Sequence, residues 1–173
     1  MKIFDLKDNE VIVSPEILTI SVFEEIWNGD KSKNKKNAFN DFKYIYHLSD
    51  FNSPYNNYSK QKREEAIKEE VIGEKTYNPS EKVLQACKVY RELRETPIER
   101  LFTSVKDKIE EMSEYLNTNE LTDDSVTPVL KIFDSMSKIV GQYKTLETAV
   151  KSEKESTTVK IRGDKKVDSN FNE

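Results

Sequence analysis

The chain has 173 residues, 35% hydrophobic and 35% charged, with a formal net charge of −4. This length fits one domain, or one domain with an arm; a charged fraction above the roughly 25% of ordinary globular chains leaves a thin core that assembly with other chains would supplement. The acidic balance argues against a protein whose main task is to coat duplex DNA, the single cysteine rules out an internal disulfide, and no run of about 18 apolar residues is available to span a membrane.

Residues 2–13 hold two short β-leaning runs, KIFDL and VIV, around a polar turn. They predict a small hairpin, with an extended arm as the alternative. The opening MKIFDLKDNE has an acid at position 5 and no apolar core, so no secretory leader is expected. Ser14 offers an N-cap with Pro15 at the first helical position, and Ile17, Leu18, Phe23, Ile26 and Trp27 support one short helix ending at Asn28-Gly29.

Lys31, Lys33, Lys35 and Lys36 then lead into an aromatic helix over Ala38–Ser49. No aromatics interleave with these lysines, which favours a solvated lead-in over a nucleic-acid contact. At helical spacing Ala38, Phe39, Phe42, Ile45 and Tyr46 share one face, while Tyr44 and Leu48 form a second apolar strip on the far side. Such a helix packs between neighbouring elements or subunits. His47 falls opposite the main face. Asp50, Asn52 and Ser53-Pro54 turn the chain, and helix resumes near Ser59. Phe39, Phe42, Tyr46 and Tyr55 are expected to build the join at this corner.

A charged helix follows from about Lys60 to Ile72, with Ala66, Ile67 and Val71 as a narrow apolar strip and Gly73 as its stop. Asn78-Pro79-Ser80-Glu81 supplies a cap, a first-turn proline and an acid three residues on for a fourth helix to about Glu95. Its wheel groups Cys87 with Val83, Leu84, Tyr90 and Leu93, which makes Cys87 a small buried hydrophobe. Thr96-Pro97-Ile98-Glu99 repeats the start signal at once, so a corner falls at residue 96.

The strongest periodicity comes last. Ile98, Phe102, Val105, Ile109, Met112 and Leu116 step by fours and threes, and so do Val126, Val129, Phe133, Met136, Val140 and Tyr143, with Val150 rejoining the phase. Ile132, Ile139 and Leu146 widen the second stripe. Alternating spacing of this kind is a coiled-coil seam, and the polar link from Asn117 to Asp124 allows an antiparallel return. From Lys151 onward the pattern stops, and only Thr157–Ile161 alternates like a strand, with Val159 and Ile161 on one side. The expected fold is therefore mainly α: a helical bundle with a long antiparallel helical hairpin and a short N-terminal β-like segment over residues 1–151, and an extended C-terminal arm over 152–173.

Chemistry-bearing motifs are sparse. Cys87 and His47 are the only thiol and imidazole, and they do not read as a nucleophilic pair. The acid pairs Glu64-Glu65, Glu69-Glu70, Glu110-Glu111 and Asp123-Asp124 suit solvated helix faces or caps. There is no glycine-rich phosphate loop, His-Glu metal motif or nucleophile elbow. No enzyme activity, catalytic residue, cofactor or metal site is predicted.

One ordered set of features goes further: Ile3-Phe4-Asp5, Pro15-Glu16, Asp30-Lys31, Lys36, Ala38, Tyr44-Ile45-Tyr46, Asp50, Ser53-Pro54-Tyr55 and Tyr58. In this order it resembles a virion protein of tailed phages of the crAss-like kind, across the first half of the chain and in general helical pattern beyond. The resemblance implies a structural subunit, with a head–tail connector or ring adaptor between portal and tail as the preferred place. It also implies a homo-oligomeric ring, often of twelve copies, assembled in the host cytoplasm and located in the virion. The expected partners are other virion proteins, with duplex DNA only as passing cargo and no membrane. Tyr44, Leu48, Tyr55, Tyr58, Val159 and Ile161 are the candidate interface residues. The alternative is a DNA-recognising assembly or packaging factor, in which the helices around Asn28-Gly29 would form a helix-turn-helix. Against it, a recognition helix needs a polar exposed face, and this one carries Phe39, Phe42 and Tyr46.

Overall fold

The computed structural model describes residues 3–7, 10–118 and 122–163, with 123–125 and 154–163 given by backbone alone. The fold is mainly α, preceded by a two-stranded antiparallel sheet. Strands β1 (Phe4–Lys7) and β2 (Glu10–Val13) pair with Phe4 opposite Val13 and Leu6 opposite Val11. The helix expected after Ser14 is divided into a 3₁₀ turn, Pro15–Thr19, and α1, Ser21–Gly29. Ile20 is extended between them, as suits a β-branched residue. The break allows both Ile17 and Phe23 to be buried.

Helix α2 spans Lys36–Ser49. Its start is built by distant groups. Lys35 precedes it in the left-handed region at φ 53, and the Asp30 carboxylate accepts the Ala38 N–H at 3.0 Å in place of a local cap. Helix α3, Lys60–Ala66, widens into a π turn over Ile67–Ile72, where an uninterrupted α-helix was predicted. Gly73 closes it at φ +76, a conformation that glycine adopts without a Cβ penalty. Helix α4, Glu81–Arg94, is capped by Ser80, whose Oγ accepts the Val83 N–H. Asn78 and Pro79 lie before this cap, because the serine hydroxyl reaches the third helical N–H directly.

The chain divides into two compact units at the Glu95/Thr96 junction, which falls inside the span 1–151 expected as one helical domain. The reason lies in the first unit, whose buried cluster is already closed by residues between Ile3 and Tyr90. Phe4 is its hub. Its ring meets Phe23, Phe42 and Tyr46, each at 6.1 Å, and Tyr90 at 5.0 Å. Phe39 was expected in this face but is 40% exposed, set edge-on against Trp27 at the margin. On α4 the buried face is Val83, Ala86, Cys87 and Tyr90, whereas Leu84 and Leu93 point outward. The buried face is narrower than the predicted wheel: it keeps Val83, Cys87 and Tyr90, gains Ala86, and leaves the two leucines at its margins.

The second unit is the antiparallel hairpin of α5 (Pro97–Thr118) and α6 (Asp123–Gly163). A reciprocal capping box opens α5: the Thr96 N–H donates to the Glu99 carboxylate, and the Glu99 N–H to Thr96 Oγ1. Phe102 stacks on Tyr143 at 4.6 Å, and Thr96 donates to Glu153, which fixes the antiparallel alignment. On α6 the seam runs through Val129, Ile132, Met136, Ile139, Tyr143, Leu146 and Val150, all buried or half-buried. Val126, Phe133 and Val140 were predicted to share that seam, but they lie on its exposed flank. The residues taken to widen the stripe are the second seam row.

Helix α6 has 41 residues, about 60 Å at 1.5 Å per residue. It runs on through Thr157–Ile161, where a strand-like arm was expected. A helix already nucleated over 30 residues gains one hydrogen bond for each residue added, which offsets the modest helix propensity of Thr157, Thr158, Val159 and Ile161. Val159 and Ile161 are therefore about 200° apart on the helix instead of on one side of a strand. Their side chains, and residues 164–173, lie outside the described residues.

Candidate functional site

Of the candidate interface residues in the first unit, two belong to its interior. Tyr44 is fully buried with its ring 5.3 Å from that of Tyr77. Leu48 is buried too, and its carbonyl accepts from Arg63 and Arg91. The second apolar strip of α2 thus faces neighbouring elements of its own unit. Tyr55 and Tyr58 are placed differently. They line a groove of about 480 Å³ between the β-hairpin, α2, the Ser-Pro-Tyr corner and the π turn, together with Leu6, Val11, His47 and Glu70.

Local turns and one arginine set this groove. Ser53 N–H donates to the Asp50 carbonyl, Asn56 N–H to the Ser53 carbonyl, and Tyr58 N–H to the Tyr55 carbonyl. Arg63 then clamps the corner from α3. Its Nε donates to the Tyr55 carbonyl at 3.1 Å and its Nη2 to the Asn56 carbonyl at 2.6 Å. Tyr55 donates its hydroxyl to Glu70 at 3.0 Å, a reach that the wider π turn makes possible. Burial, followed by this carboxylate, pushes the Tyr55 hydroxyl up to about 12.

His47 closes the floor. It is 2% exposed, with Nδ1 3.4 Å from Ser53 Oγ and rings of Tyr46 and Tyr55 edge-on at 5.1 and 5.3 Å. The join expected from Phe39, Phe42, Tyr46 and Tyr55 is made through this histidine. Burial, and then Lys43, lower its pKa from 6.5 to about 4. At neutral pH both groups stay uncharged, so the groove offers aromatic edges and hydrogen-bonding groups beside Lys43, Glu10 and Glu70.

The depressed His47 pKa makes stability depend on pH with a definite sign. The unfolded chain takes up this proton near pH 6.5 and the folded one only near 4, so the contribution is complete above 6.5 and lost as pH falls toward 4. Between pH 7 and 5 the native protein should lose about 2 kcal/mol more stability than His47→Phe, measured by urea unfolding. Equal losses would contradict a histidine buried neutral.

The longer-range contacts of Asp50 and Lys35 were not apparent in the sequence. Asp50, 5% exposed, accepts the Asn52 N–H and the Tyr90 hydroxyl and lies 3.8 Å from Arg94, tying the corner to α4. Lys35 folds back on α1. Its ammonium donates to the carbonyls of Trp27 at 3.1 Å and Asp30 at 2.6 Å and sits over the Trp27 ring, while Lys31 donates to the Asn28 carbonyl. These lysines complement the C-terminal end of α1. Neighbouring N–H donors, Ala38 first, hold the Asp30 carboxyl down at about 2.

The second unit offers another surface. Leu130 and Phe133 are 63% and 56% exposed, and with Val126 and Val140 they form a strip along α6. Leu101 and Tyr115 are exposed along one row of α5, with the exposed Lys108 between them. Among the described residues no three His, Cys, Asp or Glu side chains gather to hold a metal ion, and no helix is long and apolar enough to cross a membrane. No protein-family model matches the chain, and comparisons with curated proteins and with solved structures give no match either.

Proposed function

We propose that this protein is a structural subunit of a tailed-phage virion, a head–tail connector ring adaptor that joins portal and tail through subunit interfaces. The observation that carries the assembly part is the α5–α6 hairpin, which closes on two of the three apolar rows of α6 and leaves the third open to water. Apolar strips of this kind mark interaction sites. The ordered features from Ile3-Phe4-Asp5 to Tyr58 support the virion part, and the groove lined by Tyr55 and Tyr58 is the corresponding docking surface on the first unit. The arm of this reading is the helical extension of α6 past Val150.

The competing DNA-recognising reading gains little from the lysine cluster, since Lys31 and Lys35 are engaged with backbone carbonyls around the end of α1. Mass spectrometry of tailed particles purified from cells infected with the phage that encodes this chain tests the proposal. The chain should be present in mature particles in amounts comparable with the portal protein. Its absence there, together with a tight gel shift of duplex DNA at moderate salt, would replace this reading with the assembly-factor one.

A further inference from the structure

We propose that the hairpin binds a second copy of this chain head to tail, the α6 strip of one copy lying against the α5 strip of the next. This contact deepens the assembly reading above and rests on it.

In heptad terms the α5 seam has Phe102, Ile109 and Leu116 at a, and Ile98, Val105 and Met112 at d. The α6 seam has Val129, Met136, Tyr143 and Val150 at a, and Ile132, Ile139 and Leu146 at d. Leu101 and Tyr115 then occupy g on α5, whereas Val126, Phe133 and Val140 occupy e on α6, with Leu130 at the adjoining b. Across an antiparallel seam the e rows of both helices flank one side and the g rows flank the other. The two exposed strips therefore lie on opposite sides of the hairpin.

That placement decides the kind of contact. A two-fold pairing through α6 would cover one strip and leave the α5 strip open in both copies. A heterologous contact covers both, one against each neighbour. Six large apolar side chains roughly half open to water amount to about 500 Å² of apolar surface. Shared between two contacts, this supplies the apolar centre of interfaces near the lower end of the specific range, about 1,000 Å² in total.

The register brings Tyr115 and Leu130 together. Phe102 lies opposite Tyr143 within the hairpin, so Tyr115 is level with Leu130 and Lys108 with Ser137. Copies stacked side by side in the same direction keep these levels. Tyr115 then meets Leu130 of the neighbouring copy. Lys108, the charged position between Leu101 and Tyr115 and paired with Glu111 on its own helix, meets the polar break at Ser137, beside the Asp134–Lys138 pair.

Cysteine cross-linking of the full chain tests the contact. Cys87 is buried and stays in place, the native protein serving as control. Tyr115→Cys and Leu130→Cys proteins, each with unchanged circular dichroism, are oxidised separately, mixed, and combined in one chain. The head-to-tail contact predicts a disulfide-linked dimer from the mixture and a ladder of multimers from the double variant, with little product from either single variant. Efficient dimers from Leu130→Cys alone would overturn it in favour of a two-fold pairing, and no product in any sample would overturn it altogether. A chain found in particles without these cross-links would refute the contact and leave the virion reading standing. Cross-links in a chain absent from particles would do the reverse.

Discussion

Asp50→Ala should destabilise the first unit by roughly 3–5 kcal/mol, the cost of breaking a buried ionic network from one side. The carboxylate is 5% exposed and accepts from the Tyr90 hydroxyl and the Asn52 N–H, with Arg94 close by. Removing it leaves the buried phenol without its acceptor and takes one carboxylate away from Arg94, while the turn that starts the Ser-Pro-Tyr corner loses its side-chain acceptor. Asp50→Asn keeps a carbonyl oxygen for Tyr90 and should cost less, about 1–2 kcal/mol. Trp27 is the only tryptophan and lies in the first unit, so urea unfolding followed by its fluorescence reads this unit alone. An Asp50→Ala protein within 1 kcal/mol of the native one, on the order of a single ordinary hydrogen bond, would show that the network is dispensable.

Phe4→Ala should cost about as much, roughly 3–5 kcal/mol, by a different route. Its ring is 2% exposed and meets four other aromatic rings, one each from α1 and α4 and two from α2. Truncation removes the transfer term and leaves a cavity walled by large rings that cannot all collapse into it. It also takes away the main anchor of the β-hairpin, so the groove wall formed by Leu6 and Val11 should loosen. Phe133→Ala is the matched control: that ring is 56% exposed, and its loss should change stability by no more than about 0.5 kcal/mol. The contrast is read in the same urea titration, by circular dichroism for the hairpin. Similar costs at the two positions would contradict the exposed placement of Phe133.

The parts legible in the sequence are those decided by neighbours along the chain. The corner at Thr96 is set by a hydroxyl and a carboxylate three residues apart, and Gly29 and Gly73 end their helical segments as read. Phases were harder. On α6 the series through Val126, Phe133 and Val140 and the series through Ile132, Ile139 and Leu146 both alternate threes and fours around Val129, Met136 and Tyr143. Only the partner helix selects between them. The same limit put Phe39, Leu84 and Leu93 inside, although each lies at the edge of a face whose centre is fixed by packing.

The groove was half visible. Tyr55 and Tyr58 follow from the Ser-Pro-Tyr turn, but His47 reads as a polar residue opposite the apolar face until the corner folds over it. Arg63 acts on carbonyls 7 to 15 residues earlier in the chain, and Glu70 depends on a π turn; neither has a local signature. Tyr44 and Leu48 read as a second apolar strip of α2, and both are buried. Their partners are elements of the same unit, brought there by chain returning from residues 63, 77 and 91.

The central claim is that the hairpin's open strip serves assembly and does not hold the fold together. Sedimentation equilibrium of the full chain beside a Leu130→Lys, Phe133→Lys double variant tests it most directly. The native protein should sediment at multiples of 20.2 kDa as concentration rises, and the variant at 20.2 kDa with the unfolding of its hairpin, followed by circular dichroism, unchanged. A native protein that stays at 20.2 kDa at every concentration, or a variant that assembles as the native one does, would contradict the account.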